Sequence, residues 1–252
     1  MNTLIEIQEG LVGDSLCTLP VIDHLSKQFP GAHLWMANNH VRQLIPETVN
    51  VVHVADRPNR SNYDRVFATN IGSAFMPRHG LGHMTAAYFW QLLGQDSREP
   101  VRPSIRTQPA ARHFDFVISP YSASGPDSKQ WPLDNWAPVI AELQRHGSVC
   151  VVGSSSGTYR NQSFSICENV FDAPLTEVAD MLQQARAVIT IDNGISHLAY
   201  AAGAKHFLLY PKILPLCWVR NPDALVMVQE DPQKLPVKTV LDGVGALLHL
   251  TS

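Results

Sequence analysis

The stretch ITIDNGISHL, residues 189–198, decides the fold class of this chain. Its first half is a run of apolar and β-branched residues, and Asn193 and Gly194 then form a turn that an apolar helical pattern follows. A short apolar strand that runs directly into a helix is typical of a parallel sheet covered by helices. The amides at the start of such a helix bind anions, so the same stretch is also a candidate functional site.

The same alternation of strand-like and helix-like patterns extends over the rest of the chain. Upstream, we predict strands at 3–8, 33–37, 49–54 and 65–68, and helices at 14–28 and 84–93. In the second part, we predict strands at 114–119, 148–152, 187–191 and 206–210, and helices at 135–145, 175–184, 196–202 and 237–250. Prolines and a lack of periodicity mark residues 98–109 as a linker. We therefore expect an α/β protein of GT-B architecture, in which two Rossmann-like domains, 1–108 and 109–252, face a central cleft.

The composition is that of a globular protein. The 252 residues are 45% hydrophobic and 16% charged, with a formal net charge of −3, which excludes disorder and argues against nucleic acid as a partner. The cysteines show no CxxC spacing, which argues against a zinc or redox centre. Neither a signal-peptide pattern nor a bilayer-spanning apolar run is present. We expect a cytoplasmic protein, and peripheral association with the cytoplasmic face of the inner membrane stays open.

Three loops that follow strands contain the candidate binding and catalytic residues, because ligands bind beyond the carboxyl ends of parallel strands. The first loop ends in Gly13 and Asp14. The second, SPYSASGPDSKQWP at 119–132, is rich in hydroxyls and contains Lys129 just before a helix. The third is DNGISH at 192–197. A lysine among hydroxyl and amide donors suits a diphosphate, so the second and third loops predict a site for a nucleotide.

Each of these residues also has a plain structural interpretation. Asp14 precedes a helical pattern, and its position alone favours a helix N-cap. Lys129 fits a surface lysine in a turn, and His197 fits a core histidine. Trp131 and Trp136 are expected to anchor the loop and the helix rather than to contact a ligand. The three loops in this order are more specific than any one of them.

Together, GDSLCTLP (13–20), SKQWP (128–132) and DNGISHLA (192–199) resemble the motifs of glycosyltransferase family 9, the lipopolysaccharide heptosyltransferases. The resemblance extends from about Leu4 to about Tyr210. It implies an inverting, metal-independent transfer of a sugar, typically heptose from ADP-heptose, to a hydroxyl of the lipopolysaccharide core or a related glycan. The substrates are then a nucleotide sugar and a glycan or glycolipid acceptor, and no cofactor and no metal is needed.

The resemblance also implies roles for individual residues. Asp14 corresponds to the general base and Lys129 to the catalytic lysine at the donor phosphates. The predicted donor site further comprises Ser119, Ser122, Ser124, Gly153, Asp192, Asn193, Gly194, Ser196 and His197. Three features depart from the family pattern: Asn193 stands where threonine is usual, the loop after Gly153 lacks the acidic residue placed near the nucleoside, and the N-terminal half is short.

Arginines in the first half of the chain suggest the class of acceptor. Arg57, Arg60 and Arg78 lie in predicted loops, and guanidinium groups suit an acidic or phosphorylated acceptor. The alternative is that these side chains are only solvated. At the level of function, two other classes stay open: a non-catalytic nucleotide-sugar-binding protein and a sugar-nucleotide epimerase of GT-B-like fold.

Overall fold

The computed structural model describes residues 1–69, 84–94, 101–124, 126–155, 162–211 and 224–251. The described residues divide into two compact units, and the boundary between them lies between Arg106 and Thr107. The amide of Arg106 donates to the carbonyl of Leu44 at 2.7 Å, within the first unit. The amide of Gln108 donates to the carbonyl of Thr176 at 3.1 Å, within the second unit. The connecting segment is therefore hydrogen-bonded to the first unit up to Arg106 and to the second unit from Gln108.

Among its described residues, the first unit contains a parallel sheet of four strands. In chain order its elements are β1 (Thr3–Ile7), α1 (Val12–Gln28), β2 (Ala32–Met36), α2 (Asn39–Arg42), β3 (Val51–His53), β4 (Arg65–Ala68) and α3 (Met84–Leu93). The strand order is β3-β2-β1-β4, and every neighbouring pair is parallel. The central strand β1 is buried along its whole length, and α1 packs against α3.

The described part of the second unit contains a parallel sheet of six strands. Its elements are β5 (Phe116–Ser119), α4 (Pro126–Lys129), α5 (Trp136–Gln144), β6 (Val149–Gly153), β7 (Glu168–Phe171), α6 (Leu175–Gln184), β8 (Ala187–Ile191), α7 (Gly194–Ala202), β9 (His206–Pro211), β10 (Leu225–Gln229) and α8 (Val237–Thr251). The strand order is β10-β9-β8-β5-β6-β7, again with parallel pairs throughout. Within the described ranges, no helix is long and apolar enough to span a bilayer.

Two tryptophans anchor the second unit as expected. Trp131 and Trp136 are fully buried, and their rings meet edge to face with centroids 5.3 Å apart. The indole nitrogen of Trp131 donates to the carbonyl of Leu235 at 3.0 Å. This burial fixes the chain directly after Lys129, so the end of the hydroxyl-rich loop is tied to the core.

Every predicted strand and helix is present, with ends that agree to within two residues. The sequence missed β7 and β10, which form the two edges of the six-stranded sheet. Both edge strands are only partly buried. A strand needs a continuous apolar run only when both of its faces are covered, so these two lack the signal that marks the central strands.

Each sheet reverses its strand order once. In the first unit the chain runs outward from β1 to β2 and β3 and then returns to β4 on the other side of β1. In the second unit it runs from β5 to β6 and β7 and then returns to β8 on the other side of β5. Loops diverge at such a reversal and leave a crevice at the carboxyl ends of the strands. The β1/β4 and β5/β8 ends are therefore the places where the fold favours ligand binding.

A buried carboxylate lies in the middle of the four-stranded sheet. Glu6 of β1 is fully buried, and two arginines from the β3–β4 connection reach it: Arg57 at 2.6 Å and Arg60 at 2.5 Å. Burial alone raises the pKa of Glu6, but the hydrogen bonds and charges of Arg60 and Arg57 outweigh it and lower the pKa below 4.5. The guanidinium of Arg57 also lies over the ring of Trp35. The ion pairs thus fasten the connection onto one face of the sheet.

Replacing Glu6 with glutamine tests this electrostatic fastening. At neutral pH we expect E6Q to lose about 1–3 kcal/mol of unfolding free energy, because two guanidinium groups lose their carboxylate. Since folding lowers the pKa of Glu6, its ionised form stabilises the wild type above the unfolded pKa. This contribution disappears as the pH falls through the folded value. Urea unfolding should show a gap between the proteins that closes below pH 4.5.

Asp23→Asn is the matched control, because Asp23 forms an exposed helical pair with Lys27 at 2.6 Å. Exposed pairs of this kind contribute little, so its effect should stay below about 0.5 kcal/mol. A gap between wild type and E6Q that is constant over the same pH range contradicts the electrostatic account.

Candidate active site

At the reversal point of the first unit, hydrogen bonds fix the loop that follows β1. The amide of Gln8 donates to the hydroxyl of Thr69 at 3.1 Å. The hydroxyl of Ser15 donates to the carbonyl of Glu9 at 2.9 Å, and the side-chain amide of Asn38 donates to the carbonyl of Gly10 at 2.8 Å. The loop is therefore tied to β4, α1 and the β2–α2 turn before any ligand binds.

Asp14 lies in the first turn of α1 and is partly exposed. The N-cap of this helix is Leu11, which makes no side-chain cap. The expectation that Asp14 caps the helix is therefore wrong, because the helix begins two residues earlier, at Val12. A carboxylate in the first turn is stabilised in its ionised form by the helix dipole, which suits a base.

A second carboxylate in this loop, Glu9, was missed by the sequence analysis. It accepts a hydrogen bond from the hydroxyl of Thr69 at the end of β4. The phenol of Tyr88 on α3 lies nearby, and burial, followed by the charges of Glu9, Cys17 and Asp14, raises its pKa well above the usual value. Glu9 and Asp14 thus share one acidic environment with a neutral phenol. The available signal was the position of Glu9 immediately after a buried strand.

The arginines that were predicted to meet the acceptor are placed differently from one another. Arg57 and Arg60 hold Glu6, and each keeps about half of its side chain exposed. Arg78 lies outside the described residues. The two described arginines are therefore not simply solvated, because both form an ion pair with a buried carboxylate of the sheet.

At the reversal point of the second unit, the side chain of Asn193 joins two loops. Its oxygen accepts from the amide of Ser196 at 2.9 Å, and the backbone amide of Asn193 donates in return to the hydroxyl of Ser196 at 3.5 Å, which forms a capping box at the start of α7. Its amide nitrogen donates to the carbonyl and hydroxyl of Ser119 and to the carbonyl of Tyr121, at 2.9–3.2 Å. Three residues predicted to bind the donor, Asn193, Ser196 and Ser119, therefore use their polar groups to bond to one another and to connect the two loops.

Beside this clamp, Lys129 forms an ion pair with Asp192. The ammonium lies 2.7 Å from the carboxylate, and both side chains are nearly buried. Lys129 also donates to the hydroxyl of Ser124 at 3.3 Å, while the hydroxyl of Ser122 donates to the carbonyl of Ser124 at 2.8 Å. The structure thus brings the hydroxyl-rich loop and the DNGISH loop together around one lysine. The amides of Gly194 and Ile195 start the adjoining helix and are not used by the capping box.

An acidic residue does contact the loop after Gly153, although the loop itself contains none. Asp172, which follows β7, accepts from the hydroxyl of Ser154 at 2.9 Å and from the amide of Ser155 at 3.1 Å. Hydrogen bonds from Ser155 and Ser154 lower the pKa of Asp172. Its backbone is left-handed, with φ of 60°, a conformation that aspartate adopts more readily than most residues. Sequence reasoning missed it because β7 was missed.

Two histidines separate into different roles. His197 is on α7 and partly exposed. His206 on β9 is buried, and its ring contacts the hydroxyl of Thr190 at 2.7 Å. Burial, together with the charge of His197, lowers the pKa of His206 to about 3, so this ring is neutral. The core histidine is therefore His206, and His197 stays a candidate for ligand contact.

The family comparison agrees with this arrangement. The model of glycosyltransferase family 9 (heptosyltransferase) matches residues 94–222, which is half of the chain and includes Lys129, Asp192 and the clamp of Asn193. The chain belongs to glycosyltransferase family 9. The resemblance noted from three short motifs is thereby confirmed, and with it the enzyme class.

Solved structures of heptosyltransferases share the fold of this family 9 chain. The iron-containing dodecameric glycosyltransferase TibC from enterotoxigenic E. coli H10407 is 19% identical, with a TM-score of 0.69; the match covers 88% of this chain and 63% of that one. TibC in complex with ADP-D-β-D-heptose is 17% identical, with a TM-score of 0.75 and coverage of 100% and 77%. E. coli ADP-heptose lipopolysaccharide heptosyltransferase II is 16% identical, with a TM-score of 0.71 and coverage of 99% of both chains. Comparison with curated proteins gives no match. At these identities the structures establish the fold, and the expected GT-B architecture is confirmed.

Asn193→Ala should reveal how strongly the clamp stabilises the second unit. The change removes a helix cap and the bonds to Ser119 and Tyr121, and we expect a loss of about 2 kcal/mol of unfolding free energy. Serine at the same position keeps a cap but cannot reach both loops, so Asn193→Ser should lie between alanine and wild type. Equal unfolding free energies for the alanine variant and the wild type, measured by urea titration, would contradict the clamp.

Proposed function

We propose that this family 9 enzyme transfers heptose from ADP-heptose to a hydroxyl of a lipopolysaccharide core or a related glycan, with inversion and without a metal. The observation that carries the proposal is the β5/β8 reversal point, where Lys129, hydroxyls and helix amides converge in the unit matched by the family model. Its solved relatives include a heptosyltransferase in complex with ADP-D-β-D-heptose.

The division of labour follows the two units. The second domain, 109–252, binds the nucleotide sugar through residues 119–129 and 153–197. Lys129 and the amides of Gly194 and Ile195 meet the diphosphate, because a cation and free helix amides neutralise phosphate oxygens without a metal. His197 lies one turn further along the same helix.

The first domain, 1–108, binds the acceptor and provides the base. Asp14 removes the proton from the acceptor hydroxyl while the oxygen attacks the anomeric carbon, and the bond from that carbon to the diphosphate breaks. A base positioned in this way typically contributes about 10²–10⁴-fold to the rate. Charge that develops on the leaving diphosphate is met by donors already in place, which is often the larger contribution.

The acceptor side also suggests the kind of glycan. Arg57 and Arg60 hold Glu6, but their exposed guanidinium edges keep N–H groups that suit a phosphate or carboxylate on the acceptor. Such a glycolipid is embedded in a membrane, so the enzyme acts in the cytoplasm at the cytoplasmic face of the inner membrane.

A non-catalytic nucleotide-sugar-binding protein is the second candidate. The observation that favours it is the size of the acceptor-side sheet, which has four strands against six in the other unit among the residues that the structure describes. Binding of ADP-heptose without turnover identifies this candidate, and conversion of the donor to another ADP-sugar without an acceptor identifies an epimerase.

Turnover in the presence of chelator tests the proposal directly. Purified protein with ADP-heptose and a lipopolysaccharide core acceptor should release ADP at the same rate with and without EDTA. The physical reason is that Lys129 and the helix amides replace the divalent cation, and the sequence has no Asp-x-Asp motif to hold one. Activity that EDTA abolishes and Mg²⁺ or Mn²⁺ restores contradicts the metal-independent mechanism.

Asp14→Asn should lower kcat by at least about 10²-fold, because asparagine keeps the shape but cannot accept the proton. The affinity for ADP, measured by calorimetry, should not change, since Asp14 belongs to the acceptor side. Asp23→Asn on the exposed side of the same helix is the control and should retain full activity. Wild-type turnover by the Asp14 variant would remove it from the mechanism.

A further inference from the structure

The lysine of the donor site already has a partner. The Lys129 ammonium and the Asp192 carboxylate are 2.7 Å apart, with 13% and 7% of their side chains exposed. The charges of this pair cancel. A diphosphate that binds at Lys129 is therefore attracted by the ammonium and repelled by the neighbouring carboxylate. A lysine that served only to attract phosphate would bind more strongly without that carboxylate.

Asp192 is not required to shape the loop in which it lies. The cap of α7 and the bonds to the β5 loop all come from the next residue, Asn193. The contact made by the Asp192 carboxylate in the described structure is the ion pair with Lys129. Asn193 therefore fixes the structure of the loop, and Asp192 provides its negative charge. That charge needs an explanation other than loop structure.

The substrate and the product of the proposed reaction differ in charge. In a nucleotide sugar each phosphate has one ester bond and shares the anhydride bond, so it keeps one ionised oxygen and the diphosphate carries about two negative charges. The released nucleoside diphosphate has a terminal phosphate whose second pKa is about 6, so it carries close to three at neutral pH. A fixed carboxylate beside the phosphates repels the product more than the donor, because the additional charge is on the phosphate that has just been released.

We propose that Asp192 acts as a specificity-determining residue that favours the nucleotide-sugar donor over the nucleoside diphosphate product. It holds Lys129 in place through the ion pair, and its negative charge weakens the binding of the diphosphate once the sugar has left. Product release is faster as a result. The inference rests on the proposed function, since it assigns the donor phosphates to Lys129.

Asp192→Asn separates the two roles, because the asparagine oxygen can still accept from Lys129 while the negative charge is gone. By calorimetry at neutral pH, we expect this variant to bind ADP about tenfold or more tightly than the wild type. The gain for ADP-glucose, whose diphosphate carries one charge fewer, should be clearly smaller. In turnover, the ratio of the ADP inhibition constant to the donor KM should fall.

Removal of the lysine provides the complementary measurement. Lys129→Ala leaves a nearly buried carboxylate without its cation, so ADP binding should weaken strongly. Adding Asp192→Asn to this variant should restore part of the affinity, so the double variant binds ADP more tightly than Lys129→Ala alone. Asp242→Asn is the matched control: it makes the same change in net charge at an exposed pair with Lys238 on α8, and ADP affinity should not change.

The outcomes distinguish this inference from the proposed function. The inference is overturned if the Asp192→Asn variant binds ADP no more tightly than the wild type does, or if its affinities for ADP and ADP-glucose increase by the same factor. Either result leaves the transferase proposal intact. A double variant no better than Lys129→Ala overturns it as well. A wild type that binds neither ADP nor ADP-glucose contradicts the proposed function itself, and the inference with it.

Discussion

The candidate site of the second unit depends on the hydrogen bonds of one side chain. Asn193 caps α7 with its oxygen and holds the end of β5 with its nitrogen. The strand that precedes α7, β8, is adjacent to β5 in the sheet but far from it in sequence, and the loops after the two strands diverge at the reversal of strand order. Because the amide group has both an acceptor and donors, a single residue can fix the helix start and the neighbouring loop. Lys129, Asp192 and the amides of Gly194 and Ile195 then lie in defined positions.

Compensated charge is the second constraint, and it appears in both units. Glu6 is held by Arg57 and Arg60 in the first, and Lys129 is held by Asp192 in the second. A charge that leaves water needs a partner of opposite sign. The cations that the sequence analysis predicted to bind phosphates therefore also form ion pairs within the protein. These carboxylate partners reduce the attraction of the cations for an anionic ligand.

The sequence predicted the central strands and the long helices well, and the reason is burial. β8 and its neighbours are apolar on both faces, and α6 shows a clear helical period, so local patterns were sufficient. The edge strands β7 and β10 were missed because only part of their surface is covered. Asp172 was missed with β7. Glu9 was missed because a carboxylate after a strand has no motif of its own, and the tyrosine that lies beside it is about eighty residues away.

By itself, the sequence determined the fold class, the central strands and long helices, the family and the loops of the candidate site, because local periodicity and short motifs are sufficient to predict all of these. The tertiary structure alone decided which polar groups are paired: that Asn193 is a clamp, that Asp14 is not a cap, that Arg57 and Arg60 hold Glu6, and that Asp192 accompanies Lys129. The physical reason is that ion pairs and hydrogen bonds join residues tens of positions apart. Their energies depend on distance and burial, which only the folded chain defines.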